Sequence, residues 1–139
     1  MKSSEIRSKF LKFFEKHDHK LIKSSSLIPL DDNTVLLTSA GVQQFIPYIL
    51  NKQPNPYKRT CSVQKCFRTT DIDIIGDNTH LTFFEMLGNW SFNDYFKEEA
   101  IKLAYELLTK EFKLAPERFY ITIFKGDKKI PKDEEARLI

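Results

Sequence analysis

The first apolar residues of the chain recur at the spacing of a helix. A serine precedes them at position 3 or 4, and serine is a residue type that caps helix starts. The pattern predicts an amphipathic helix that packs on a sheet. The segment runs from about Ser4 to Lys16, and its apolar face consists of Ile6, Phe10, Phe13 and Phe14.

Short runs of β-branched, aromatic and other apolar residues, bounded by proline, glycine and acidic or amide turn residues, predict strands. Pro29 and the turn "LDDN" separate the first two runs, and the turn-rich loop "TTDIDIIGDNT" separates the third and fourth. Strands joined by short loops favour antiparallel pairing. The predicted strands cover residues 20–29, 34–39, 60–68, 80–87 and 119–124.

Further helical patterns lie between and after these strands. Residues 40–50 predict a short helix that Pro47 breaks or bends. A longer apolar face predicts a helix from about Asp94 to Lys113, with Asn93 as its cap, and Pro131 starts another helical pattern. The expected fold is α/β, of the α+β type, with a mainly antiparallel sheet flanked by helices.

Composition places this pattern in one soluble globular domain. The chain has 139 residues, of which 41% are hydrophobic and 29% charged, enough to bury a core. Its first residues alternate charged and apolar side chains, so we expect no secretory signal, no membrane span and a cytoplasmic location. A net charge of +3 favours an acidic partner such as a nucleotide or nucleic acid, without deciding between partners.

The two cysteines carry no metal or redox signature. Cys61 and Cys66 are five residues apart on one predicted strand, which places their side chains on opposite faces. That separation argues against a disulfide between them. We therefore expect no metal site.

Candidate chemistry lies on the strands at 60–68 and 80–87. If they pair antiparallel, Arg68, His80 and Phe84 share one face, with the first two near the connecting loop. Such a set suits ATP, because a guanidinium grips phosphate, a second polar group reaches the terminal phosphate, and an aromatic ring stacks on adenine. Taken singly, each residue is as easily a solvated charge, a surface histidine or a core phenylalanine. The joint placement carries the hypothesis.

The same residues resemble a known motif. "FR", a loop, and then His80-x-x-x-Phe84 resembles motif 2 of the class II aminoacyl-tRNA synthetases. From about Glu5 to Thr122 the chain is similar to the start of the alanyl-tRNA synthetases. The stretches that carry this similarity are "SSSLIP", "TSAGVQQF", "QKCFRTTDID" and "HLTFFEMLGNWSFNDYFKEEAI".

The resemblance implies a class II synthetase-like fold and a ligase that uses ATP with Mg²⁺. Such an enzyme activates alanine to alanyl-adenylate and transfers it to the 3′ end of tRNA(Ala). By motif position, Arg68 holds the α-phosphate and stabilises charge that develops on it, while His80 meets the γ-phosphate. Phe84 stacks on adenine, and the backbone near Met86 contacts the edge of the ring. Motif 1 falls near residues 20–29, where Pro29 is structural, and motif 2 falls near 61–88.

The family's third motif, its tRNA-recognition domain and its zinc-containing editing domain have no counterpart in residues 1–139. We therefore expect the N-terminal part of a catalytic domain that is inactive, or nearly so, by itself. Two alternatives remain open: a non-catalytic synthetase-like module that binds RNA or a nucleotide, and a structural interaction domain. Salt-dependent RNA binding without pyrophosphate exchange would indicate the first of these alternatives. The oligomeric state is not predicted.

Overall fold

The computed structural model describes residues 1–29, 35–70 and 72–139. One of its longer helices precedes the two long strands, and the other follows them. Shorter 3₁₀ turns occupy Gln43–Phe45, Ile72–Ile74 and Pro116–Arg118. The principal elements are α1 (Ser3–Lys16), β1 (Lys20–Leu21), α2 (Ile46–Ile49), β2 (Arg59–Phe67), β3 (Phe83–Ser91), α3 (Lys97–Glu106) with a π-helical extension (Leu107–Glu111), and α4 (Glu134–Leu138).

The strands form a three-stranded mixed sheet in the order β1-β2-β3. β2 and β3 pair antiparallel along their whole length, from Arg59 opposite Ser91 to Phe67 opposite Phe83. β1 adds only two residues, parallel to β2. The predicted α/β fold with a mainly antiparallel sheet and flanking helices is confirmed.

One face of the sheet packs against α1 and α3. The apolar stripe predicted on α1 supplies three buried phenylalanines, and Cys61 reaches them from β2. At the edge of this face, Arg7 of α1 donates to Glu85 of β3 at 2.6 Å. This face is therefore the hydrophobic core, which leaves the opposite face for other contacts. The buried core residues are Phe10, Phe13, Phe14, Cys61, Leu103 and Leu107.

Three predicted strands are wrong in extent or in existence. The segment predicted at 20–29 pairs only at Lys20–Leu21, and 119–124 pairs with no strand among the described residues. In that last segment Tyr120 is 97% exposed and Ile121 79% exposed, so its apolar residues have no sheet to cover. A strand exists only where a partner satisfies its backbone, and local composition cannot supply that partner.

The predicted strand at 34–39 is also absent from its described part, residues 35–39. The "LDDN" turn and Thr34 lie outside the described residues. The β2 and β3 predictions are confirmed, with one shift: β3 begins at Phe83 rather than His80 and continues to Ser91.

The helix predicted from Asp94 begins three residues later, at Lys97. Asn93 adopts the left-handed conformation, with φ at 56°, and does not cap the helix. The carboxylate of Asp94 instead accepts from the guanidinium of Arg59. Pro47 lies in the first turn of α2, where proline is tolerated, rather than bending a longer helix. At α4, Asp133 caps the helix by accepting from the N–H of Ala136 at 3.1 Å.

Among the described residues, no helix combines the length and the apolar character needed to cross a membrane.

Candidate nucleotide-binding site

Arg68 follows β2 directly and is held in place at three points. Its backbone N–H donates to the carbonyl of Thr82 at 2.8 Å, which continues the pairing with β3 beyond the last strand residue. Its Nε donates to the carbonyl of Ser39 at 3.2 Å. Its guanidinium carbon lies 5.2 Å from the centroid of the Phe84 ring. The structure therefore brings Arg68 and Phe84 together on one face, as predicted.

Phe84 lies opposite Cys66 in the β2–β3 ladder, and its half-buried ring is on the face turned away from the α1 core. Cys66 is fully buried beneath this part of the face, and its burial raises the pKa of the thiol. A guanidinium within 6 Å of an aromatic centroid is in the range of a cation–π contact. The arrangement combines a flat apolar ring with a fixed positive charge that lies over one of its faces, a chemistry suited to a nucleotide.

Met86 lies on the same face, opposite Gln64. Its Sδ accepts from the backbone N–H of Gly41 at 3.2 Å. The carbonyl of Thr38 accepts from the N–H of Phe67 at 2.9 Å. The loop that follows Thr38 is thus fastened to both long strands, and it supplies the Ser39 carbonyl that holds Arg68.

Gln64 is a feature that the sequence analysis missed. Its side chain is completely buried, and every polar atom on it is used. Oε1 accepts from the Ser25 N–H at 2.8 Å, from the Ser25 hydroxyl at 3.1 Å and from Gln44 at 3.3 Å. Nε2 donates to the carbonyls of Ser25 at 3.1 Å and Lys65 at 2.8 Å. The amide therefore ties the segment after β1 and the loop around Gln44 to the site face.

Trp90 and two glycines pack together on this face, at the end farthest from Arg68. The indole ring lies against Gly88, and Gly41 borders it as well. Phe45 packs on the indole at a centroid distance of 4.5 Å. The sequence did not indicate a role for either glycine, because that role depends on the position of the Trp90 ring in the folded chain.

His80 precedes β3 and lies in the loop, and it is about two-fifths exposed. Its Nδ1 lies 2.6 Å from Oδ2 of Asp77 and 3.1 Å from the hydroxyl of Thr79. The predicted site thus divides into two parts. Arg68, Phe84 and Met86 lie on the sheet, whereas His80 is oriented within the loop itself. Asp71, another acid of this loop, lies outside the described residues.

Asp77 is the second residue that the sequence analysis missed. Its carboxylate accepts from the N–H groups of Thr79 at 2.9 Å and His80 at 2.7 Å. The Thr79 N–H, the His80 ring and the His80 N–H lower the pKa of Asp77 to about 2. The sequence "GDNTH" contained a signal for this arrangement, because an aspartate in a turn commonly accepts a hydrogen bond from the backbone two residues further along.

A second polar cluster lies near the opposite end of β2. His19 is buried, and its Nδ1 donates to the carbonyl of His17 at 2.8 Å, so its Nε2 accepts from the Tyr95 hydroxyl at 2.7 Å. The Tyr95 oxygen accepts from Asn89 at 3.2 Å. Arg59 lies 4.9 Å from the Tyr95 ring centroid. Burial, followed by the charge of Arg59, lowers the pKa of His19.

Among the described residues, no group of three or more His, Cys, Asp or Glu side chains is placed to hold a metal ion. Both cysteines are free and buried. A divalent cation that enters with ATP needs no such group, because phosphate oxygens and water supply most of the ligands of Mg²⁺.

The family model described as "tRNA synthetases class II (A)" matches residues 5–138. The chain belongs to this class II tRNA synthetase family. As a likeness of fold alone, this class II chain also superimposes on a solved structure described as an aspartyl-tRNA synthetase from Leishmania major Friedlin. The TM-score is 0.53 at 21% identity, over 79% of this chain and 22% of the other.

Curated relatives of this class II chain are named alanine–tRNA ligase. The protein from Rubrobacter xylanophilus is 61% identical over 137 residues, which is 99% of this chain and 16% of that relative. The protein from Treponema pallidum is 45% identical over 100% of this chain and 23% of its own length. The chain thus spans less than a quarter of either relative.

Proposed function

We propose that this chain forms the ATP-binding part of an alanine–tRNA ligase. The reaction is activation of alanine by ATP to alanyl-adenylate, followed by transfer of the alanyl group to the 3′ end of tRNA(Ala). The observation that carries the proposal is the placement of the Arg68 guanidinium 5.2 Å from the Phe84 ring centroid, on the sheet face opposite the core. The high identity to alanine–tRNA ligases supports the choice of amino acid.

In this proposal Arg68 acts on the phosphate that is attacked. Attack by the alanine carboxylate adds negative charge to the oxygens of the α-phosphate, and a guanidinium stabilises that charge through directed N–H donors. The Ser39 carbonyl and the Thr82 carbonyl fix Arg68 before substrate arrives. A donor that is already oriented needs little reorganisation during the reaction, and that is the source of its catalytic effect.

Phe84 and Met86 form the platform for the base. Adenine stacks on the Phe84 ring, and the backbone near Met86 contacts the edge of the purine. The N–H of Gly41 donates to the Met86 sulfur, and β3 pairs with β2 at this position, so both the side chain and the backbone of Met86 are held in place. Stacking on an aromatic ring is sequence-tolerant and contributes about 1–3 kcal/mol.

Motif 1 near 20–29 and motif 2 near 61–88 are assigned in the same proposal. Motif 1 is supported by the contact between Gln64 and Ser25, in which the Gln64 side chain bonds the backbone N–H and carbonyl of Ser25 and holds this segment on the site face. Support for the second is the β2–β3 pair with its connecting loop. Mg²⁺ arrives with ATP, bound to its phosphates. Alanine and tRNA(Ala) are the remaining substrates.

The test is a chimaeric enzyme in which residues 1–139 replace the corresponding residues of the Rubrobacter relative. Alanine-dependent exchange between ATP and pyrophosphate measures adenylate formation directly. We expect exchange by the chimaera, and none by the relative with its matching residues deleted. Serine and glycine in place of alanine serve as specificity controls.

A chimaera that folds but lacks exchange would contradict the proposal. If the 139-residue chain also bound RNA with strong salt dependence, the non-catalytic RNA-binding alternative would replace it. Exchange that depended equally on serine would retain the synthetase chemistry and overturn the assignment to alanine.

A further inference from the structure

We propose that Asp77 is a positioning residue for His80: its carboxylate fixes the place, the rotation and the Nδ1–H form of the ring that meets the terminal phosphates of ATP. The proposal rests on the function proposed above and adds a residue to it. Among the described residues, Asp77 is the charged group that contacts the His80 ring.

The Asp77 carboxylate makes contacts at four points within three residues. Oδ1 accepts from the backbone N–H groups of Thr79 and His80, at 2.9 and 2.7 Å. Oδ2 accepts from the Thr79 hydroxyl at 3.2 Å and from His80 Nδ1 at 2.6 Å. One oxygen therefore shapes the turn, while the other holds the imidazole ring. Asp77 thus holds the position of His80 and, together with the Thr79 hydroxyl, the rotation of its ring.

The contact to Nδ1 determines which ring nitrogen can reach a ligand. An ionised carboxylate only accepts hydrogen bonds, so Nδ1 carries a proton. In the neutral ring Nε2 is then bare, and a bare nitrogen cannot donate to a phosphate oxygen. Donation from Nε2 requires the ring to carry both protons, which makes His80 a cation when it binds phosphate.

Asp77 is suited to face such a cation. Its pKa is lowered to about 2 by the N–H groups of Thr79 and His80 and by the His80 ring, so it is ionised throughout the physiological range. The phosphates then meet a ring whose second donor points away from Asp77, much as an outer carboxylate orients a metal-binding histidine.

The tautomer can be measured without any activity. Long-range ¹⁵N–¹H spectra of the chain at pH 8 report which nitrogen of His80 carries the proton. We expect the Nδ1–H form in the wild-type chain and a shift toward the Nε2–H form in Asp77→Asn, because the amide keeps the turn-forming oxygen and presents a donor to Nδ1. A mainly Nε2–H ring in the wild type would overturn the proposal, whether or not the variant folds.

Kinetics in the chimaera separate positioning from a general effect on the loop. Asp77→Ala removes every Asp77 contact that holds His80 in place and is expected to raise KM for ATP by about five- to tenfold with a smaller change in kcat, since a contact to the terminal phosphates is made in ground and transition states alike. Asp73→Ala removes an exposed acidic side chain from the same loop and is the matched control, with KM expected within twofold of the wild type.

The double variant decides how the two residues are related. If Asp77 acts through His80, Asp77→Ala adds nothing to the KM already raised by His80→Ala. An equal Asp77 effect with and without His80 would overturn the positioning role. A normal KM in His80→Ala would instead remove the phosphate role proposed for His80, while exchange activity in the chimaera would still support the ligase function.

Discussion

The indole ring of Trp90 lies on Gly88, two residues before it on the same strand. A β-carbon at Gly88 would lie 2.1 Å from Cη2 and 2.5 Å from Cζ2 of that ring. The ring cannot simply move aside, since Phe45 packs on it and Gly41 borders it. Gly88 is thus required by a close approach rather than by an unusual backbone angle.

Gly88→Ala is expected to destabilise the chain by about 1–3 kcal/mol, the usual cost of overpacking a well-filled site. Urea unfolding followed by fluorescence measures it, because Trp90 is the single tryptophan in the sequence. The emission of the native state should shift too, as the ring leaves its position. Trp90→Phe lacks the colliding atoms, so Gly88→Ala should cost less in that background, where unfolding is followed by far-ultraviolet circular dichroism because the tryptophan is gone. An equal cost in both backgrounds would show that the ring is not the cause.

Arg68→Ala in the chimaera should reduce alanine-dependent pyrophosphate exchange by on the order of a hundredfold, with a smaller effect on KM for ATP. The reason is that the charge it meets grows only as the carboxylate attacks. Single-turnover measurement of adenylate formation separates this step from product release. Near-normal exchange would remove Arg68 from the mechanism.

Phe84→Ala should instead raise KM for ATP by about tenfold, since stacking is felt equally in ground and transition states. Phe83→Ala is the matched control: it removes the neighbouring ring of β3, which points to the other face of the sheet and is half exposed. If both variants change KM alike, the effect belongs to the strand and not to adenine stacking.

His19 makes stability depend on pH. Burial lowers its pKa in the folded chain below the ordinary value of 6.5, so between these two values the unfolded chain binds more protons. The free energy of unfolding should therefore fall as the pH drops below about 6.5. Urea titrations between pH 7.5 and 5.5 measure the slope. His19→Gln, which retains a donor and an acceptor but does not titrate, should flatten it, and an unchanged slope would contradict this origin.

The two thiols should be protected while the chain is folded. Burial raises the pKa of Cys61 to about 12 and also raises that of Cys66, so neither presents a thiolate near neutral pH. A thiol-reactive disulfide reagent at pH 8 is expected to label the native chain slowly and the urea-unfolded chain quickly at both positions. Labelling of either residue in the native chain at the rate of free cysteine would show that its site opens.

The parts of the fold that sequence predicted are those whose signal is local. The apolar residues of α1 recur at helical spacing, and those of β2 and β3 alternate with polar residues, so each segment indicates its own secondary structure. The segment at 119–124 has an equally good strand composition but finds no partner among the described residues, and the run at 20–29 pairs for only two residues. The start of α3 moved because Arg59, distant in sequence, recruits Asp94.

The site was predictable to the extent that strand parity determines it. Counting residues placed Arg68 and Phe84 on one face, and the structure confirms that relation. Gln64 could not be found this way, because a glutamine becomes a tether only when a separate segment arrives beside it. Strand parity does not determine the orientation of His80, which lies outside β3 and contacts Asp77 in the loop.

The tether at Gln64 gives the backbone of Ser25 an unusual kind of protection. The Ser25 amide hydrogen is bonded to a buried side chain, in a segment that has no strand pairing of its own. This amide therefore exchanges with solvent deuterium only when its hydrogen bond to Gln64 breaks. Separation of two paired strands is not required. Ser25 should exchange far more slowly than the neighbouring amide of Ser24, and Gln64→Ala should abolish that difference while leaving the slow amides of α1 unchanged. The exchange rate of one serine would thus report how often the covering segment lifts off the sheet.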